Sequence, residues 1–193
     1  MADPLGKIIR LVAGYPGRLL AKTKITPNQV TVIGFLVNCL VAYFIAGGVF
    51  SYIVLGVLIW VAGFFDALDG SVARATGNIT IFGNFLDSVL DRYSDSVIYF
   101  GMLVHFLYLG EKNLVLLTVI AAIGSVVVSY TRAKAESLGA KCEVGFMPRT
   151  VRIIMLGVGF CFGQVFWAVF VIAVLSHVTV MQRVYRVYGE LKK

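Results

Sequence analysis

Charge is scarce in this chain. Asp, Glu, Lys and Arg make up 14% of its 193 residues, against 59% hydrophobic residues, and the mean hydropathy is +0.89. A soluble domain of this size carries far fewer apolar side chains, so the composition points to one integral membrane domain, residues 1–193. Cysteine is also scarce. Cys39, Cys142 and Cys161 are odd in number, lie in or beside apolar segments and form no CxxC pair. That count and spacing support neither a zinc site nor a disulfide framework, and small buried residues are the simpler reading. His105 and His177 are solitary, and read as buried or interfacial histidines rather than ligands. Trp60 and Trp167, the only tryptophans, read as membrane-belt or lipid-facing residues. No low-complexity run, signal peptide or soluble extension is expected, because charges interrupt every apolar stretch of the first residues.

What is abundant is apolar sequence in spans of membrane length. Residues 5–20 mix apolar positions with Lys7, Arg10 and Arg18, which predicts an interfacial amphipathic helix broken near Gly14 and Pro16. This interfacial segment occupies residues 1–24. Six transmembrane helices are expected in residues 25–193, over 27–47, 50–74, 80–109, 114–138, 148–162 and 165–187. Each approaches the ~20 apolar residues that cross a bilayer, the fifth being the shortest. Thr26-Pro27 is a strong helix start, a hydroxyl N-cap followed by proline at the first helical position. Gly47-Gly48 and Gly77-Asn78 mark turns. The fold class is therefore an all-α integral membrane protein, six transmembrane helices preceded by an amphipathic one.

Six spans return both termini to one side. Of the 17 Lys and Arg residues, all but Lys112 fall on that side. By the positive-inside rule the termini face the cytoplasm, in a multi-pass cell-membrane protein. This asymmetry explains the pI of about 9.5 without a nucleic-acid partner. Part of the charge is expected to meet anionic headgroups of the lipid bilayer.

Against this apolar background stand Asp66, Asp69, Asp87 and Asp91. The first two are three residues apart and the last two four apart, so each pair shares a helix face. Asp66 and Asp69 fall near the end of the second span, Asp87 and Asp91 near the start of the third. A two-helix hairpin would bring both pairs to one depth, near the cytoplasmic face. Carboxylates at membrane depth are costly and mark function. Four that converge repel one another unless cations lie between them, and hard divalent ions suit oxygen ligands.

The surrounding residues extend the pattern to D-x2-D-G-x2-A-R-x8-G-x3-D-x3-D, with Gly70, Ala73, Arg74 and Gly83 at the remaining fixed positions. Eight fixed positions over 26 residues resemble the signature of the CDP-alcohol phosphotransferase family. The resemblance implies a membrane enzyme in which an acceptor hydroxyl displaces CMP from a CDP-linked donor and forms a phosphodiester. It implies two divalent cations, Mg²⁺ or Mn²⁺, held by Asp66, Asp69, Asp87 and Asp91. Asp91 would also lie near the acceptor hydroxyl as a general base. It implies a nucleotide site at Gly70, Ala73, Arg74 and Gly83, bordered by Asn28 and Thr31 at the start of the first span. It also implies a homodimer. On their own, Ala73 and Gly83 read equally as tight helix packing.

A basic cluster bears on the acceptor. Arg132 and Lys134 end the fourth span, and Arg149 and Arg152 open the fifth. Four such cations suit a phosphate group, and equally suit helix-end charges reaching for the interface. The string Tyr130-Thr-Arg132-Ala-Lys134-Ala-Glu136 resembles the branch that uses inositol phosphate, the phosphatidylinositol phosphate and archaetidylinositol phosphate synthases. Pro148 stands where that branch typically has an acidic residue. The expected reaction transfers a phosphatidyl-type group from a CDP-linked lipid, CDP-diacylglycerol or CDP-archaeol, to inositol phosphate. Alternatives are a synthase using CDP-inositol as donor, a member using serine or glycerol phosphate, and, from another class, a divalent-cation transporter. Against the transporter, the acids lie near one face rather than the midplane.

Overall fold

A computed structural model describes residues 4–23 and 25–192. Of the cations counted above, Lys24 and Lys193, and the side chains of Lys7 and Arg10, lie outside the described residues. The described residues form helices α1 (Pro4–Leu20), α2 (Pro27–Gly47), α3 (Tyr52–Thr76), α4 (Ile81–Tyr108), α5 (Lys112–Ser137), α6 (Arg149–Cys161) and α7 (Val165–Leu191), with no strand among them. Helices α2, α3, α5 and α7 are long and apolar enough to cross a membrane. Helix α4 has the length, 28 residues, but carries Asp87, Asp91, Arg92 and Asp95. Helix α6 has 13 residues and spans only about 20 Å at 1.5 Å per residue. Length and apolarity alone thus mark four spans, where the sequence pattern suggested six.

Local chemistry sets the helix ends. The Thr26 hydroxyl accepts from the Gln29 amide at 3.3 Å, and the Gln29 side chain accepts from the Thr26 amide at 2.9 Å. This reciprocal capping box satisfies two donors that the first turn of α2 would otherwise leave open. Gly48 and Gly77 take φ of 57° and 71° after α2 and α3, a conformation that glycine adopts without strain. The Thr80 hydroxyl accepts from the Gly83 amide at 2.9 Å and starts α4. Helix α1 does not break at Gly14 or Pro16; it runs on as one helix with Pro16 inside. A proline costs the backbone bond to the carbonyl four residues earlier, and α1 tolerates that loss because it is laid along α3. Ala13 is buried in that contact, and a side chain on Gly17 would collide with Ser71.

Six helices close into a ring in the order α2, α3, α6, α7, α5, α4, and each packs on its two neighbours. The two helices of the expected α3–α4 hairpin do not pack on each other in the ring: α2 stands between them. Small residues on α2 allow it. Gly34 lies against Asp66 and the backbone of Phe65 on one side, while Gly101 of α4 meets the Ala42 backbone on the other. Ile45, Leu55, Met102, Phe106, Phe160 and Ile172 form the core inside the ring. Gly159 is used for an internal contact, against Ala168 of α7. The outward faces show Leu36, Tyr43, Phe100, Ile123 and Trp167, the distribution of a multi-pass membrane protein whose apolar exterior meets lipid.

Candidate active site

The separation of α3 from α4 makes the site. Residues four apart on an α-helix are offset by about 40°, so Asp87, Asp91 and Asp95 wind around α4 from its cavity side towards the core. Asp66 and Asp69 face them from α3. Between the helices lies a cavity of about 1030 Å³, walled in part by Asp66, Asp69, Asp87 and Asp91. Gly70, Ala73 and Arg74 of α3, Gly83 of α4, and Asn28 and Thr31 of α2 line the same space. All ten of these residues, dispersed over positions 28–91, meet at one cavity.

Each acid has its own restraint. Asp69 accepts from the Thr31 hydroxyl at 2.7 Å and from the Gly70 amide. Asp87 lines the same cavity as Asp69. Asp66 accepts from Asn38 at 3.3 Å and from Arg149 at 2.6 Å. Asp91 accepts from Arg149 at 2.5 Å. Asp95 accepts from Arg149 at 2.9 Å with one oxygen and from Arg152 at 2.7 Å with the other. Each nitrogen of the Arg149 guanidinium thus takes a different carboxylate.

Among the described residues, no three His, Cys, Asp or Glu side chains converge on one point as in a closed metal cage. The donor chemistry nonetheless fits a hard cation. The ligands are all carboxylate oxygens. Asp66, Asp69, Asp87 and Asp91 line one cavity, where converging carboxylates repel one another unless protons or cations lie between them.

The glycines differ in use. A side chain on Gly83 would come within 2.9 Å of Asn28 and of the Thr80 hydroxyl, so this glycine lets α2 and the α4 cap close together. A side chain on Gly70 would meet only the Arg74 guanidinium, 3.4 Å away, so Gly70 leaves open cavity wall. Arg74 donates to the Ser71 hydroxyl at 3.2 Å.

The four cations expected together form two groups. Arg149 lines the cavity, and Arg152, 2% exposed, lies behind it, donating to the Met147 carbonyl at 3.0 Å and to Asp95. Arg132 and Lys134 lie outside the cavity wall. Arg132 pairs with Glu136 at 2.8 Å, with both side chains 51% exposed. The ring order separates the groups, because α7 stands between α5 and α6. Between them sits Arg183 of α7, a buried residue that the motif reading passed over. It donates to the Val128 and Val144 carbonyls and lies within electrostatic range of both Arg132 and Arg152.

Asn38 was also passed over. It is buried on α2 and donates to the Gly34 carbonyl and to one oxygen of Asp66, while Arg149 takes the other. An amide inside an apolar 21-residue span is the signal that betrays it. Trp60 is more than a lipid-facing ring: its indole donates to the Ile154 carbonyl at 3.2 Å and lies over Gly157. The histidines are satisfied away from the acids, His105 against the Tyr52 hydroxyl at 3.3 Å and His177 against the Ala173 carbonyl at 2.9 Å.

A ring of helices, four of them long and apolar enough to cross a membrane, with a carboxylate-lined cavity between α3 and α4, defines a class, the membrane-helical enzymes with an acidic site. Residues 24–181 match the family model of CDP-alcohol phosphatidyltransferases, and the chain belongs to that family. It is 40% identical over 177 residues to an archaetidylinositol phosphate synthase of Pyrococcus horikoshii, covering 91% of this chain and 90% of that protein. It is 35% identical to a phosphatidylinositol phosphate synthase of Mycobacteroides abscessus, covering 87% and 80%. Among solved structures, the Mycobacterium tuberculosis phosphatidylinositol phosphate synthase with CDP-DAG bound superposes with a TM-score of 0.83 at 29% identity, covering 92% of this chain and 94% of that one. The same enzyme in complex with manganese and citrate also gives 0.83, covering 91% and 88%.

Proposed function

We propose that this enzyme transfers a phosphatidyl-type group from a CDP-linked lipid, CDP-diacylglycerol or CDP-archaeol, to inositol phosphate and releases CMP. The observation that carries the reading is that one cavity joins two surfaces of opposite chemistry. Its polar end holds the four carboxylates. Its other end is walled by Val57, Trp60, Val61, Phe64, Ile153 and Ile154. Val57 and Val61 are also exposed on the outer face of the ring, where a lipid would enter sideways from the bilayer. A donor with a charged head and apolar tails matches that pairing, and a bare cation does not. The names and ligands of the similar proteins support the same donor and acceptor.

Asp66, Asp69, Asp87 and Asp91 are the residues to hold two divalent cations, Mg²⁺ or Mn²⁺. When bound, such cations neutralise charge on the diphosphate and on the leaving CMP. Gly70, Ala73, Arg74, Gly83, Asn28 and Thr31 border the nucleotide, with Gly70 providing room and Arg74 a guanidinium for the diphosphate. The acceptor hydroxyl oxygen forms the new bond to the lipid-bearing phosphorus. The bond from that phosphorus to the CMP oxygen breaks, and CMP leaves with the electron pair. Asp91 takes the hydroxyl proton. Of the expected set Arg132, Lys134, Arg149 and Arg152, the first two read the acceptor's phosphate, while Arg149 and Arg152 are taken up by the acids, and Arg183 lies between the two groups.

The same reading makes residues 25–193 a bundle of six membrane-crossing helices, with residues 1–24 as an interfacial segment. Ile8, Leu11, Val12 and Tyr15 are exposed on α1 and would enter the bilayer boundary. The charge asymmetry places both termini and the active site on the cytoplasmic side. Two copies associate as a homodimer.

The test is an acceptor and donor series on purified enzyme. Labelled CDP-lipid is offered with inositol phosphate, inositol, glycerol phosphate or serine, and CDP-inositol is offered as a competing donor. Inositol phosphate should give the phosphoinositol lipid and CMP in equal amounts at far the highest kcat/KM. Equal use of unphosphorylated inositol, or preferred use of CDP-inositol, overturns the assignment.

A further inference from the structure

Asp95 lies one turn beyond the signature and outside the residues expected to touch cation or substrate. Its two oxygens are fully engaged, one by Arg149 at 2.9 Å and the other by Arg152 at 2.7 Å. Arg152 is fixed in turn by the Met147 carbonyl at 3.0 Å, on a side chain 2% exposed. Arg149 therefore hangs from a buried anchor by its Nε. Its two remaining nitrogens reach Asp66 at 2.6 Å and Asp91 at 2.5 Å. Asp66 and Asp91 are also two of the four carboxylates proposed to receive cations. A cation that binds them must share these carboxylates with the Arg149 guanidinium, which takes one oxygen of each.

We infer that Asp95 is a positioning residue that tethers Arg149, so that its guanidinium orients the Asp66 and Asp91 carboxylates without competing a divalent cation out of the site. The physical argument is a balance of charges. Arg149 faces three carboxylates, and one of them draws it back towards the core. Without the Asp95 charge, the guanidinium is attracted only towards Asp66 and Asp91. Arg152 then contributes an uncompensated positive charge one helical turn away on α6. Both changes oppose a divalent cation. Removing Arg149 has the opposite sign, because the carboxylates then lack their resident positive partner. A purely structural role for the cluster makes a different prediction: any substitution loosens the acids and weakens cation binding alike.

This inference rests on the cation reading of the four acids, and direct Mn²⁺ binding without substrates separates the two. Purified protein in lipid nanodiscs is equilibrated with Mn²⁺, and free Mn²⁺ is read by its paramagnetic resonance signal. Asp95→Asn should weaken binding roughly tenfold, the scale of one charge-assisted contact. Arg149→Gln should tighten it several-fold while turnover falls. The decisive variant is Asp95→Asn/Arg149→Gln, in which the loss due to Asp95→Asn should largely vanish, because the tethered group is gone. If Asp95→Asn alone fails to fold, Asp95→Asn/Arg152→Met removes the buried charge and its partner together and carries the same comparison with and without Arg149→Gln. No Mn²⁺ binding by the unsubstituted protein overturns the cation reading and this inference with it. Normal binding with purely additive shifts, or weakening by Arg149→Gln, leaves the cation reading intact and overturns the tether.

Discussion

Arg149 and Arg152 at the start of α6 and Arg132 and Lys134 at the end of α5 are of similar chemistry, yet the fold treats them oppositely. Arg149 and Arg152 are drawn into the bundle and consumed by Asp66, Asp91 and Asp95. Arg132 pairs with its own helix neighbour Glu136, both half exposed. Burial makes the difference. A charge taken out of water must be matched, and a matched buried charge then holds its partners in place. A charge left at the surface costs little and stays free to meet a ligand. The α6 arginines are thus committed to shaping the acid site, while the α5 pair remains available to a phosphate arriving from water.

The sharpest way to break this comparison is to remove an acid. Asp66→Asn, Asp69→Asn or Asp87→Asn should reduce CMP release to background while the protein still purifies as a folded species. Near-normal turnover of any one at saturating divalent cation contradicts the assignment. Next in size is Asp91→Asn. Its kcat should fall about 10²–10⁴-fold, the usual scale of a lost general base, with the CDP-lipid KM little changed. A weakened donor affinity at full turnover would move Asp91 out of that role. The cation comparison itself is tested by Arg152→Ala and Arg132→Gln. Arg152→Ala should lower stability by about 3–5 kcal/mol, since it removes one of the two cations that match the buried Asp95 carboxylate and leaves one of its oxygens unpaired, as read by denaturant or thermal unfolding. Arg132→Gln should cost under about 1 kcal/mol of stability but raise the inositol phosphate KM roughly 10–150-fold, leaving the donor KM unaltered. Equal stability losses in the two variants would erase the distinction.

The sequence revealed this division only in part. Helix positions were legible because apolar runs, caps and glycines act locally. The start of α2 at Pro27 follows from the Thr26–Gln29 capping box, and the end of α3 from Gly77. The carboxylates were legible because Asp66, Asp69, Asp87 and Asp91 stand out in apolar surroundings at helical spacing. The order of helices around the ring was not, because periodicity tells which face is apolar and not which helix covers it. The sequence suggests an α3–α4 hairpin that brings the acid pairs together, as the cavity does, but not that α2 packs between the two helices; it also suggests one basic cluster, which α7 divides. Pro16 misled for a related reason: a proline predicts a break only where no neighbouring helix supports the turn. Asn38 and Arg183 show the same limit, since a buried polar residue is visible in sequence while its partner is not.

On the proposed function, the cavity between α3 and α4 couples cation-dependent CMP release to formation of a lipid phosphodiester. The most direct measurement follows both products at once, in vesicles containing purified enzyme, labelled CDP-lipid and inositol phosphate, with Mg²⁺ or Mn²⁺ supplied and then chelated. One CMP should form for each phosphoinositol lipid, with both products abolished by chelation and by Asp87→Asn. CMP release without the lipid product, or lipid product that survives chelation, would contradict that coupling.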